Sequence, residues 1–170
     1  MIFYPDKTAI SSARRLFTAL LLVFLIHNSE EAFTICRYPA VNPFINLHIL
    51  NCKQFLVSVS VISTAAIILY IVAIRSTATL SKYLFISTGL SAALLLNAFI
   101  PHLLVALLTL HYTPGLITAV LLILPFSILV LHRNSPQYNK RNKQTRDAIL
   151  FIIPAYLFFA LVTRLSLLLI

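Results

Sequence analysis

Apolar residues run through this chain in five blocks separated by short polar stretches, each block near the roughly 20 residues that a helix needs to cross a bilayer. The blocks are, approximately, Arg15 to Cys36, Gln54 to Ile74, Tyr83 to Leu110, Thr113 to Leu131 and Ala148 to Ile170. None shows the strict alternation of an outer-membrane barrel strand. The pattern predicts an all-α, polytopic membrane protein: residues 1–170 form a single domain, a bundle of five transmembrane helices.

Composition agrees with the pattern and adds an orientation. The chain is 60% hydrophobic and 10% charged, with a formal net charge of +9. If all five blocks span, one side carries Lys7, Arg14, Arg15, Arg75, Lys82, Arg133, Lys140, Arg141, Lys143 and Arg146, and the other only Arg37 and Lys53. By the positive-inside rule the N-terminus is cytoplasmic and the C-terminus external. The basic excess then faces anionic lipid, so the expected partner is the bilayer and not nucleic acid. The expected location is the cell (inner) membrane, with a homo-oligomer an open expectation for so small a bundle. Arg14-Arg15 before Leu16 to Ile26 imitates an export signal, but no small-residue cleavage site follows, so this stretch is read as the first retained helix.

Against that background the polar residues inside the apolar blocks stand out. The chain has four acidic residues, and two of them, Glu30 and Glu31, follow His27, Asn28 and Ser29 inside the first block. Ionisable groups at bilayer depth cost several kcal/mol, roughly 2.5 to 3.5 on insertion scales, and persist when paired, metal-bound or functional. Positions i, i+3 and i+4 share a helix face, so His27 can converge with both glutamates. At about 1.5 Å rise per residue, His27 lies roughly 18 Å from the cytoplasmic end of its block and the glutamates roughly 23 to 24 Å. Asn97 and His102 in the third block fall at roughly 22 and 30 Å, and Arg164 in the fifth at roughly 26 Å. Three helices thus place their unusual polar residues in one layer, in the outer half of the membrane. Asn97 and His102 are about 140° apart on a regular α-helix, and a kink at Pro101 would help both face one pocket. Tyr112, Thr113, Pro114 and Gly115 form a tight turn after His111.

His27-Asn28-Ser29-Glu30-Glu31, the downstream His102 with Asn97 before it, and Tyr112-Thr113-Pro114-Gly115 together resemble the HXXEE family of predicted integral membrane proteins. The resemblance spans the first block through the start of the fourth. That family has no established biochemical activity, so the resemblance implies site residues without implying a reaction.

Two functions are compatible with the cluster. In the first, His27, Glu30, Glu31 and His102 bind a divalent metal, with Asn97 and His111 as additional or supporting groups. Imidazole with carboxylate suits Zn, Fe or Mn. Glu30 and Glu31 are then the catalytic candidates of a metal-dependent membrane enzyme acting on a lipidic or externally accessible substrate. In the second, the protein is a non-enzymatic carrier, ion- or proton-conducting or ligand-binding protein with a metal-free His/Glu/Arg network. There Arg164 pairs with a glutamate. No inverted repeat is visible to support a secondary transporter. Ser29 lies beside His27 but without a G-x-S-x-G context, and membrane serines usually satisfy backbone carbonyls. Cys36 and Cys52 flank the first external loop, where a disulfide and two free thiols are both open. His48 and His132 fall at loops or helix ends and are read as solvated or interfacial, not as ligands. The stretch Asn134 to Asp147 is read as a basic loop.

Overall fold

The computed structural model describes residues 7–38, 51–75, 79–138 and 141–169. His48 and Lys140 lie outside them. Five helices long and apolar enough to cross a membrane account for nearly all of the described chain, and no strand occurs among the described residues. They are α1 (Lys7–Thr34), α2 (Cys52–Arg75), α3 (Leu80–Thr109), α4 (Leu116–Gln137) and α5 (Arg141–Leu169).

The five expected spans are present, but three of them continue beyond the apolar blocks. α1 begins at Lys7 and not at Arg15, α4 continues to Gln137, and α5 begins at Arg141. Most of the stretch from Asn134 to Asp147 is therefore helical, which corrects its reading as a loop. Once nucleated, a helix propagates cheaply into water. The extension of α5 is braced as well, because Gln144 donates its side-chain N–H to the Leu131 carbonyl of α4 at 2.9 Å.

α3 is the hub, packed against α1, α4 and α5, while α2 fills the gap between α1 and α5. Gly89 lets α3 approach α5 closely: a Cβ there would collide with Cβ and the ring of Phe151. At the level of the hub's middle, Leu20, Leu94, Ala98, Ala119 and Ile123 form a buried apolar cluster from α1, α3 and α4. The two alanines at this seam suit the close approach on which helix packing in lipid depends. Outward-facing Ile68, Val72, Leu157 and Leu161 are exposed, as lipid-facing side chains must be.

The two ends of the bundle differ. The basic end, with the α2–α3 and α4–α5 connections, holds a network in which Asn134 donates to Ser87 (2.9 Å) and Thr88 (3.0 Å), and Tyr138 donates to Thr88 (3.2 Å). At the other end, a Cys36–Cys52 disulfide ties α1 to α2, closing the question that the sequence left open.

Candidate metal centre

At the disulfide end, the side chains of His27 (α1), Glu31 (α1) and His102 (α3) offer one ligand atom each, all within 4.8 Å of one another, an arrangement that could hold a metal ion. His27 and Glu31 meet because they are one helical turn apart. His102 arrives through a local change in helix register. Residues Ala98–Leu104 of α3 form a π-helical stretch around Pro101. In α-helical geometry Pro101 would leave the Asn97 carbonyl without its donor. The i→i+5 register absorbs this, and it also swings residues five apart from about 140° to about 50° of each other. Asn97 and His102 consequently share a face, with the Asn97 side-chain nitrogen 3.2 Å from His102 Nε2 and 3.5 Å from His27 Nε2. Across from it, α4 carries a second π-helical stretch, Ala119–Ile123, in contact with the first.

The turn between α3 and α4 forms the roof. Gly115 adopts φ +81°, a left-handed conformation that side chains disfavour. A Cβ there would stand 2.7 Å from both Glu31 Cγ and His27 Cε1 and 3.0 Å from His102 Cε1. Backbone thus lies directly on all three residues of the group. Thr113 donates its hydroxyl to the His102 carbonyl at 3.2 Å, fixing the turn to the π-helical stretch.

Hydrogen bonding sets the state of one imidazole. Thr118 Oγ1 donates to the Gly115 carbonyl (3.3 Å) and lies 2.9 Å from His27 Nδ1. Its single proton is committed, so it accepts from His27 Nδ1–H. That tautomer, assigned from the network, turns the lone pair of Nε2 toward Glu31 and Asn97. A metal-ligating histidine is usually held by its second nitrogen in this way. His102 lacks that support, since its buried Nδ1 has no partner among the described residues.

The separations across the group decide what it resembles. Glu31 Oε1 is 3.6 Å from His27 Nε2 and 3.3 Å from His102 Nε2. A direct charge-assisted hydrogen bond would be about 2.7 to 2.9 Å. Ligands around a tetrahedral ion at about 2.0 to 2.1 Å stand about 3.3 to 3.4 Å apart. The two carboxylate–imidazole separations lie around that edge length. His27, Glu31 and His102 could therefore hold a metal ion. The opening is at Glu31, whose side chain is 15% exposed against 1% and 5% for the two histidines.

The remaining candidates lie elsewhere. Glu30 turns away from the group and accepts from the Tyr112 hydroxyl and from the backbone N–H groups of Ile117 (3.2 Å) and Thr118 (2.7 Å), at the start of α4. Burial, and next the hydrogen bond to Glu30, push the Tyr112 hydroxyl up to about 12. His111 is exposed, with Nδ1 against the Thr109 carbonyl, and does not reach the group. Arg164 is exposed, and no ion pair joins it to either glutamate among the described residues. Ser29 donates to the Leu25 carbonyl at 2.7 Å. Two features escaped the sequence reading. Thr118, the partner of His27, carries no motif signal beyond standing three residues after Gly115. The π-helical register left a trace only in the five-residue spacing of Asn97 and His102 around a proline.

One family model, described as a protein of unknown function with HXXEE motif, matches residues 18–130. That span contains every residue of the centre. Comparison with curated proteins and with solved structures returns no match.

Proposed function

We propose that this chain, which belongs to the HXXEE family, is a metal-dependent integral membrane enzyme whose His27, His102 and Glu31 hold one divalent cation, Zn, Fe or Mn. The observation that carries this reading is the spacing of 3.3 and 3.6 Å between the carboxylate and the two imidazoles, longer than charge-assisted hydrogen bonds and right for neighbouring ligands. His27 Nε2 and the Glu31 carboxylate are both acceptors, and a cation between them removes their repulsion.

Two histidines and one glutamate are a ligand set found in catalytic zinc sites, which keep a further position open. Such an ion supplies Lewis acidity and activates a bound water. The chain's own residues supply the rest. Thr118 fixes the His27 tautomer, the Asn97 amide N–H groups stand beside both imidazole Nε2 atoms to orient what binds there, and the turn backbone at Gly115 excludes water from above. Glu30 is fully engaged at the start of α4, so Glu31 is the carboxylate left for chemistry. With the N-terminus cytoplasmic, as the basic residues indicate, the centre lies in the external half of the bilayer, open to lipidic or external substrates. The buried cluster of Leu20, Leu94, Ala98, Ala119 and Ile123 supports this reading over a conducting one, because a proton or ion path would have to cross it.

Elemental analysis of the detergent-purified protein tests the proposal. One equivalent of Zn, Fe or Mn per chain is expected, falling to background in His27→Ala, Glu31→Ala and His102→Ala. A folded wild-type protein that binds none of these metals on titration would overturn it.

A further inference from the structure

We propose that the two adjacent glutamates of α1 divide the work: Glu31 faces the imidazoles, and Glu30 is a positioning residue that latches the first turn of α4 over them. The proposal deepens the metal reading and rests on it only for its metal-binding readout.

Both oxygens of Glu30 are occupied. Oε1 accepts from the Tyr112 hydroxyl and the Ile117 N–H, and Oε2 from the Thr118 N–H. Thr118 is the link to the centre, for its backbone N–H binds Glu30 while its hydroxyl accepts from His27 Nδ1. Fixing the backbone of Thr118 therefore fixes the ring of His27. The same turn carries Gly115, whose backbone lies against His27, Glu31 and His102, so any outward movement of the turn uncovers all three. Tyr38 braces the latch from outside, its ring meeting that of Tyr112 edge-on at a centroid distance of 5.1 Å, two residues beyond the disulfide-bonded Cys36. A glutamine at position 30 could not reproduce the arrangement. It offers one acceptor oxygen, and its NH₂ group would point a donor at a backbone donor.

The test uses the full chain in detergent, with Co²⁺ alone as the probe and hydrogen exchange followed over residues 112–118. Glu30→Gln and Tyr112→Phe are expected to keep one Co²⁺ per chain at saturation but to bind it about 10- to 100-fold more weakly, as loss of supporting groups does. Their visible Co²⁺ absorption should shift, and exchange over residues 112–118 should quicken by about tenfold or more. Glu31→Gln should show the reverse: Co²⁺ binding lost, slow exchange retained. Wild-type affinity and spectrum in both latch variants would overturn the proposal. So would loss of all Co²⁺ from a folded Glu30→Gln, which would make Glu30 a ligand. If Glu30→Gln fails to fold, Tyr112→Phe carries the same test. If the wild-type protein binds no Co²⁺, the metal reading fails, and exchange alone decides the latch: an unchanged rate in Glu30→Gln sinks it, a faster one supports it.

Discussion

Two of the polar clusters that the bundle buries differ in kind: one could hold a metal ion, and the other is a hydrogen-bonded network. At the basic end, Asn134 hands its two N–H groups to Ser87 and Thr88, Ser87 passes its proton to the Tyr83 carbonyl at 2.6 Å, and Tyr138 donates to Thr88. Donors meet acceptors at the lengths of ordinary hydrogen bonds, and the buried carboxylate beside Tyr138, Asp147, is paired with Arg146 at 3.4 Å. At the disulfide end, in the tautomer assigned from the hydrogen-bond network, His27 Nε2 and the Glu31 carboxylate are acceptors facing each other at 3.6 Å. Polarity within a membrane bundle therefore does not mark a site by itself. An excess of acceptors around one point does, because it leaves room and charge for a cation. The buried hydroxyls of Ser91 and Ser127, without a partner among the described residues, carry no charge and pose no such demand.

The strongest way to break the comparison is at Gly115. Replacing it with alanine forces a side chain into a backbone conformation of φ +81° and sets a Cβ 2.7 Å from Glu31 and His27. Neither neighbour can retreat easily, since each belongs to α1 and is buried or half-buried. Metal affinity, measured by competition with a chromophoric chelator, should fall at least about 100-fold, or about 2.7 kcal/mol. Protection of the Ser87–Asn134 region against hydrogen exchange should be unchanged. Undiminished affinity would show that the roof does not define the centre.

A second, comparable effect is expected from the covalent tie, which only the disulfide end possesses. Cys36 and Cys52 are 16 residues apart, and a loop of that size contributes about 3 kcal/mol through the unfolded chain. Cys36→Ser with Cys52→Ser should lower stability by roughly that amount in a denaturation series. Local exchange should quicken around Tyr38 and Tyr112, which stack just beyond the bridge, and not around Asn134. Equal loosening at both ends would mean that the two levels are one cooperative unit.

Much of this contrast was legible in the sequence, and the rest was not for specific reasons. Apolar blocks revealed the five spans because hydrocarbon thickness fixes their length. They missed the ends of α1 and α5 because a helix does not stop where lipid stops. His27, Glu31 and His102 were legible as candidates because ionisable residues are rare at that depth. Choosing between Glu30 and Glu31 was beyond the sequence, since positions i+3 and i+4 share a face equally well with His27. The choice is made by where α4 begins, which depends on tertiary packing. Pro101 foretold a disturbance in α3, but a kink and a π-helical stretch have the same local signature, and only the latter brings Asn97 beside His102. The expectation that His111 would support the centre failed on Leu110, whose φ of 54° ends α3 and turns the next residue outward.

A smaller effect sharpens the contrast from the other side. Asn134→Ala removes two donors from the basic-end network and should cost about 1 to 2 kcal/mol of stability, the usual scale for interhelical hydrogen bonds in membranes. Because the apolar cluster of Leu20, Leu94, Ala98, Ala119 and Ile123 lies between, metal affinity should be unchanged. Reduced affinity would mean that the two levels are coupled through α3 or α4.

The smallest effect concerns Tyr112, which lies outside the spanning segments and reports the latch directly. Its hydroxyl donates to Glu30 and is pushed up to about 12, first by burial and then by that bond. The donated proton exists only in the neutral phenol. Since the folded value lies above the ordinary value of about 10, the stabilisation is complete below pH 10 and is lost as pH rises toward 12. The ultraviolet difference between the wild-type protein and Tyr112→Phe should therefore titrate near pH 12, and in a Glu30→Gln background it should move back toward 10. A Tyr112 that titrates with an ordinary midpoint in the wild-type protein would mean that the phenol does not donate to Glu30 in solution. His27 would then depend on Thr118 without the support that separates this end of the bundle from the other.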